Sequence, residues 1–164
     1  MKKLISLILI ASLYSCFNPE PIKTGKEGET LPDFSLLLAD GSKWDANSNI
    51  PSGKPFVVFY FSPRCPYCRV QTEELLKNMK KHNDVPFYLV TNFPLNEMKS
   101  YIQEYNLTKY PNITVGYDSI SFIRDYFKAE IVPFTLFYDK NKKLSEAFTG
   151  QIYSKQVINY LSHN

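Results

Sequence analysis

Residues 56–70, with the sequence FVVFYFSPRCPYCRV, join an uninterrupted apolar run to two cysteines three positions apart. The run from Phe56 to Phe61 is rich in β-branched and aromatic residues and shows no alternation, which predicts a strand buried on both faces. Pro63 and Pro66 end that strand. From Cys65 onward the apolar residues recur at helical spacing, so this stretch predicts a strand, a tight turn and a helix that begins at the cysteines.

The rest of the chain alternates strand-like and helix-like segments. Strand-like residues flank the Asp40-Gly41 turn, which predicts an N-terminal β-hairpin before the buried strand. Further strands are predicted within residues 85–91, 112–118, 133–139 and 143–150, and helices separate most of them. The order predicts an α/β fold with a central, mostly parallel sheet, an antiparallel edge hairpin and flanking helices.

The first sixteen residues, MKKLISLILIASLYSC, have the layout of an export signal. Two lysines precede the apolar run from Leu4 to Leu13, which is too short for the ~20 residues of a membrane-spanning helix. The residues LYSC resemble the lipobox of bacterial lipoproteins, which implies cleavage before Cys16 and a lipid on its sulfur. The alternative is an ordinary cleaved signal that leaves Cys16 free. We therefore expect a signal peptide at 1–15, a lipid-attached tether at 16–29 and one domain at 30–164.

Charge and export narrow the class of protein. The formal net charge of +3 is small and shows no clustering, so we expect no nucleic-acid partner. An exported, lipidated chain belongs in the cell envelope of a Gram-negative bacterium, anchored in the lipid bilayer through Cys16 and facing the periplasm. Disulfides persist in that compartment. Lipidation would leave Cys65 and Cys68 as the only thiols.

The order of these motifs resembles the thioredoxin fold. A buried strand leads into Cys-Pro-Tyr-Cys at the start of a helix, and Val132-Pro133 later precedes a strand, a hairpin and a glycine. The opening hairpin resembles the branch that holds the peroxiredoxins of the alkyl hydroperoxide reductase/thiol-specific antioxidant group and the TlpA/ResA-like disulfide reductases. The resemblance runs from about Thr30 to the C-terminus. It implies a membrane-tethered thiol–disulfide oxidoreductase that needs no cofactor and no metal.

The resemblance and the helix start together assign roles to the two cysteines. Unpaired N–H groups and the helix dipole at the start of a helix stabilise a thiolate on Cys65, which makes it the expected nucleophile. Cys68, one turn further and more buried, is the expected resolving thiol. Arg64 and Tyr67 are candidate substrate contacts. The alternatives are a solvated arginine and a tyrosine ring that shields the cysteines.

A second segment completes the implied site, and one expected group is absent. Pro133 resembles the family's cis-proline, whose preceding residue, here Val132, pairs with an extended substrate. Thioredoxin carries a buried acid on the strand before its cysteines, but Phe59 occupies that position here. Another group or a water molecule must then move the proton. Glu130 is a candidate, with an ordinary surface charge as the alternative.

Four other interpretations of the cysteine pair stay open at this stage. A zinc site needs four ligands, and besides the two cysteines only His82 and His163 are at hand. A structural disulfide would close a tiny loop and restrain little chain entropy. A thiol peroxidase would need a Pro-xxx-Thr-xx pattern, where this chain has Val58 and Ser62. A binding or copper-delivery module would need a wider cysteine spacing and further ligands.

The favoured hypothesis is a disulfide reductase, although the direction of electron flow depends on the redox potential. Its partners would be a protein substrate with a disulfide or dithiol and a membrane electron donor that restores the dithiol.

Overall fold

The computed structural model describes residues 19–82 and 84–163, and for residues 162 and 163 it describes the backbone alone. The predicted signal peptide, Cys16 and the first residues of the predicted tether lie outside this part of the chain. None of the helices in the described residues is long and apolar enough to cross a membrane.

Seven strands and five α-helices make up the described chain. The strands are β1 (Ser35–Leu37), β2 (Lys43–Asp45), β3 (Phe56–Tyr60), β4 (Phe87–Thr91), β5 (Ile113–Tyr117), β6 (Phe134–Tyr138) and β7 (Leu144–Thr149). The α-helices are α1 (Ala46–Asn49), α2 (Pro66–Lys77), α3 (Leu95–Glu104), α4 (Phe122–Phe127) and α5 (Ser154–His163). Short 3₁₀ turns follow α2 and α3, at Met79–Lys81 and Leu107–Lys109.

The strands form one mixed sheet in the order β2-β1-β5-β4-β3-β6-β7. The α/β fold class, the N-terminal hairpin β1–β2 and the edge hairpin β6–β7 are confirmed. The expectation of a mostly parallel sheet is wrong, because only β3–β4 and β4–β5 are parallel pairs. The pairs β1–β2, β1–β5, β3–β6 and β6–β7 are antiparallel.

The length of α4 explains why β6 is antiparallel to β3. Ser121 and Lys128, both in the left-handed conformation, bound this helix of six residues. Six helical residues rise about 9 Å, whereas a five-residue strand spans about 17 Å. The helix therefore does not carry the chain back along the sheet, and β6 starts at the edge where β3 ends.

The sheet separates two apolar cores. On β3, Phe56, Val58 and Tyr60 face the N-terminal hairpin and α4, while Val57 and Phe59 face α2, α3 and α5. This alternation follows from the pleat of a strand, which points successive side chains to opposite faces. Every residue of β3, β4 and β6 is buried, and for β3 the unbroken apolar run from Phe56 to Phe61 predicts this. Cys68 belongs to the second core.

Residues 19–29 correct the prediction of a free tether. Ile22 pairs with Ala147 of β7, and the Gly28 N–H donates a hydrogen bond to the Leu144 carbonyl at 2.7 Å. Leu144 in turn donates to Glu29 at 3.0 Å. These bonds satisfy backbone groups at the open edge of β7, which a hydrophobic pattern does not reveal because the bonds do not depend on side chains. The ordered part of the domain thus begins well before Thr30.

One edge of the sheet collects the residues of interest. The parallel strands β3 and β4 end there, so the segments after Tyr60 and Thr91 lie close together. Because β6 runs antiparallel to β3, its first residue pairs with Tyr60 and Pro133 meets the same edge. The fold therefore places the cysteine motif beside the Val132–Pro133 segment.

Candidate functional site

Cys65 lies at the junction between a turn and a helix. It is the residue directly before α2, and Pro66 takes the first helical position, where a missing N–H costs no hydrogen bond. Ser62 holds the turn: its carbonyl accepts the Cys65 N–H at 3.1 Å and its hydroxyl accepts the Arg64 N–H at 3.2 Å. Cys65 is half-buried, so part of its surface is open to a partner molecule.

Cys68 lies one turn further along α2 and is fully buried. Phe59 and Phe61 belong to the same apolar core. Burial raises the pKa of the Cys68 thiol far above its ordinary value, and a hydrogen bond with the Cys65 side chain raises it further. Both cysteines are free thiols in the structure. The pair thus combines one accessible sulfur with one that is shielded from water and held as a thiol.

The Val132–Pro133 segment faces the first cysteine. The Sγ of Cys65 donates to the backbone oxygen of Val132 at 3.6 Å, and the Val132–Pro133 peptide bond is cis. The Pro133 carbonyl accepts the N–H of Gly150 at 2.8 Å, which fastens the segment to the end of β7. The structure thereby brings the cysteine pair, Cys65 and Cys68, next to the segment of Val132 and Pro133. Cys65 and Val132 are 67 residues apart in the sequence.

Arg64 is held by an ion pair rather than solvated alone. Its Nε and Nη2 donate to the two carboxylate oxygens of Glu97 at 2.7 and 2.6 Å. Its guanidinium lies 5.3 Å from the centre of the Phe93 ring. The Arg64 hydrogen bonds lower the pKa of the Glu97 carboxyl. Tyr67, by contrast, is 64% exposed and extends from the first turn of α2.

Three residues of α3 contact the cysteine region and were not identified from the sequence. Glu97, Tyr101 and Glu104 have the i, i+4, i+7 spacing of one helix face. The buried Tyr101 hydroxyl hydrogen-bonds Thr72 at 2.7 Å and donates to the Cys68 carbonyl at 3.4 Å. Glu104 pairs with Arg69. The sequence signal that could have identified them is the helical spacing of the two acids, Glu97 and Glu104, on either side of Tyr101.

Arg69 fastens the turn before Cys65 from the other side. Its Nη1 donates to the carbonyl of Pro63 at 3.0 Å, and its guanidinium also lies over the Tyr105 ring. The helix α3 thus contacts both the turn and the body of α2. These contacts of α3 hold the turn and α2, which carry the two cysteines.

An open pocket of about 370 Å³ lies beside Cys65. The turn after β3, the turn after β4, the helix α4 and the segment before Pro133 form its wall. Its lining residues are Tyr60, Phe61, Ser62, Arg64, Cys65, Asn92, Phe93, Arg124, Ala129, Glu130 and Val132. A substrate segment that reaches Cys65 has room to occupy this pocket.

The position of the missing acid is apolar in the structure. Phe59 is 2% exposed and packs in the core, while the candidate substitute Glu130 is exposed on the wall of the open pocket. A small cavity of about 20 Å³ borders Phe59, Gln71 and Thr135. This volume accommodates about one water molecule. Gln71 donates to Thr135 at 3.0 Å and accepts from the Ile152 N–H at 3.1 Å.

The described residues contain no group of three or more His, Cys, Asp or Glu that could hold a metal ion. His82 is buried, and its Nε2 lies 2.9 Å from the Ser154 hydroxyl. This contact joins the chain after α2 to the start of α5.

Comparison with known proteins defines the relationships of the chain. The AhpC/TSA family matches residues 28–159. An uncharacterized protein of Haemophilus influenzae is 25% identical over 162 residues, 96% of each chain. A secreted disulfide oxidoreductase of Mycobacterium tuberculosis shares 20% identity with a TM-score of 0.65, over 80% of this chain and 96% of that one. An exposed lipoprotein thioredoxin of Streptococcus pneumoniae shares 20% identity with a TM-score of 0.62, over 81% and 100%.

At such identities the solved structures show a common fold, which is the thioredoxin-like fold expected from the sequence. The family match spans the sheet, the cysteine motif and the Val132–Pro133 segment. The chain therefore belongs to the AhpC/TSA family.

Proposed function

We propose that the protein is a thiol–disulfide oxidoreductase in which Cys65 is the nucleophile and Cys68 the resolving thiol. The observation that carries this proposal is the placement of the half-buried Cys65, whose sulfur lies 3.6 Å from the Val132 backbone oxygen, with Cys68 buried one turn behind it. The solved structure from Mycobacterium tuberculosis, described as a disulfide oxidoreductase, supports the same general class.

The reaction proceeds in two exchange steps. The Cys65 thiolate attacks one sulfur of a substrate disulfide, a mixed disulfide forms, and the other substrate sulfur leaves as a thiolate. Cys68 then attacks the Cys65 sulfur, and the second substrate sulfur leaves. The substrate gains two electrons and the enzyme ends with a Cys65–Cys68 disulfide. Because burial raises the pKa of Cys68, its proton must pass to a neighbouring group or to the departing sulfur as it attacks.

The backbone of Val132 and the open pocket supply the binding site in this proposal. An extended peptide that lies along Val132 places its disulfide against Cys65, and neighbouring side chains occupy the pocket. Tyr67 is exposed beside the same motif and offers an aromatic contact to a protein partner. Arg64 acts within its pair with Glu97 rather than as a free charge.

The cellular location of the protein and the direction of electron flow are part of the proposal. The signal-like first residues and Cys16 support a lipid-anchored protein that faces the periplasm of a Gram-negative cell. The match to an exposed lipoprotein of Streptococcus pneumoniae is consistent with an anchored relative. In that setting the protein acts as a reductase of protein disulfides, and a membrane electron donor returns it to the dithiol form.

Two measurements test activity and direction. The purified protein should reduce the disulfides of insulin in the presence of dithiothreitol, and Cys65→Ser should abolish this activity. A redox potential of about −270 mV or lower suits a reductase, whereas a value of about −120 mV identifies an oxidant.

A third measurement tests the lipid anchor. Transfer of radiolabelled fatty acid to the wild type but not to Cys16→Ser would establish the anchor. Label on neither protein would refute it.

A thiol peroxidase is the second candidate, and the AhpC/TSA family match is the observation that favours it. The positions that a peroxidatic site would fill with proline and threonine hold Val58, which is fully buried, and Ser62. Peroxide consumption that depends on Cys65 and exceeds the rate of insulin reduction would support the peroxidase. Tight copper binding without either activity would instead support a binding module.

A further inference from the structure

The pair formed by Arg64 and Glu97 is the charged feature nearest in sequence to the nucleophile. Arg64 directly precedes Cys65 and lines the same open pocket. Two short hydrogen bonds and the face of the Phe93 ring hold its guanidinium. Such a two-point contact between arginine and a carboxylate fixes geometry as well as charge.

The two partners differ in exposure. The Arg64 side chain is 70% exposed, whereas that of Glu97 is 23% exposed. The carboxylate is therefore the anchored member, since it lies in the first turn of α3, and the arginine reaches over to it. The other charged residues on the pocket wall are Arg124, which pairs with Asp125, and the exposed Glu130.

We propose that Glu97 is a positioning residue that sets the redox balance of the Cys65–Cys68 pair by neutralising Arg64. This inference rests on the proposed exchange chemistry of the two cysteines. Reduction of the Cys65–Cys68 disulfide takes up two electrons and places negative charge on Cys65 wherever that thiol is ionised. A cation beside Cys65 stabilises this reduced form and makes the protein a stronger oxidant.

The sign of the effect follows from the charge count. With Glu97 in place, the Arg64–Glu97 pair has no net charge, so it stabilises the reduced form less than an uncompensated Arg64 would. Glu97→Gln removes the negative partner and leaves the charge of Arg64, the residue next to Cys65 on the pocket wall, uncompensated. Arg64→Gln leaves one additional negative charge. The two single variants should therefore move the equilibrium in opposite directions, and the double variant should return close to the wild type.

The experiment measures the equilibrium of the full-length protein in detergent with a glutathione redox buffer. Two glutathione thiols reduce the protein disulfide and become one glutathione disulfide, so electrons and protons balance. The reduced fraction is read from the mass added by a thiol alkylating reagent. Glu97→Gln should shift the equilibrium constant toward the dithiol by roughly twofold to sixfold, and Arg64→Gln should shift it the other way. High salt should shrink both shifts, because the pair is partly exposed.

Asp45→Asn is the control, since it removes a carboxylate from an ion pair with Lys43 on β2, which three strands separate from β3 and the cysteine motif. Its shift should be clearly smaller. An equal shift in Asp45→Asn, shifts of one sign in both Arg64 and Glu97 variants, or no shift would overturn the inference. Insulin reduction by the wild type is measured separately. Loss of that activity together with intact opposite shifts would reject the proposed reductase and leave the role of Glu97 standing.

Discussion

The Sγ of Cys65 lies 3.6 Å from the backbone oxygen of Val132, and this contact joins the start of α2 to the segment that enters β6. The two residues meet because β3 and β6 are antiparallel neighbours, so the end of one strand and the beginning of the other share an edge. In the proposed function, a peptide bound along Val132 would meet the Cys65 sulfur at this contact. The chemistry of the site thus depends on the mixed pattern of the sheet.

The two cysteines should differ strongly in reactivity toward iodoacetamide at neutral pH. Cys65 is half-buried, whereas Cys68 is fully buried and its thiol pKa is raised by that burial. Since the thiolate is the reactive form, Cys68 should be alkylated at least about tenfold more slowly than Cys65. Peptide mapping by mass spectrometry measures both rates in one sample. Equal rates in the folded protein would show that Cys68 is not shielded.

Removal of the Tyr101 hydroxyl should weaken the support of α2. Tyr101→Phe deletes the hydrogen bonds to Thr72 and to the Cys68 carbonyl and leaves a buried Thr72 hydroxyl without that partner. We expect the free energy of unfolding in urea to fall by about 1–2 kcal/mol. Tyr67→Phe is the control, because that ring is 64% exposed, and it should change stability little. A Tyr101 variant as stable as the control would contradict this role.

Acid should destabilise the contact between His82 and α5. Burial lowers the pKa of His82 below 6.5, the ordinary value for histidine. A group with a lowered folded pKa contributes stability that is present above its unfolded pKa and lost as the pH falls through the folded pKa. Urea unfolding at about pH 7.5 and about pH 5.5 brackets the start of this window. The wild type should lose more stability than His82→Asn over that interval, and parallel losses would show that His82 does not contribute.

Removal of residues 19–27 should expose the edge of β7. A chain that begins at Gly28 loses the pairing of Ile22 with Ala147 and the hydrogen bond from Gln156 to Pro19. Open strand edges promote association between chains, so this truncation should melt at a lower temperature and form concentration-dependent oligomers. A chain that begins at Pro19 is the control. Identical melting of the two proteins would indicate that the segment acts only as a spacer.

Sequence patterns were sufficient for the strand, the helix start and the cysteine pair. The unbroken apolar run before Cys65 indicates a strand buried on both faces, and β3 is buried at every position. Pro66 after Cys65 favours a helix that begins there, and α2 does so. These features depend on local residue types, which is why they are readable without tertiary information.

Features that depend on packing between distant segments were not readable. The sequence predicts a helix between the strands of residues 112–118 and 133–139. Left-handed residues at Ser121 and Lys128 limit that helix, α4, to six residues, and β6 runs antiparallel to β3. The pair of Arg64 with Glu97 spans 33 residues and depends on how α3 packs. The docking of residues 19–29 uses backbone hydrogen bonds, so their polar composition suggested a tether instead.

The central claim is that Cys65 attacks and Cys68 resolves, and trapping of the mixed disulfide tests it most directly. Full-length Cys68→Ser and Cys65→Ser are each incubated with a disulfide-bonded peptide, quenched with acid and analysed by mass spectrometry without reductant. The account predicts that Cys68→Ser accumulates a peptide adduct on Cys65, whereas Cys65→Ser forms almost none because Cys68 is buried. An adduct on Cys68 in Cys65→Ser, with none on Cys65 in Cys68→Ser, would contradict the account.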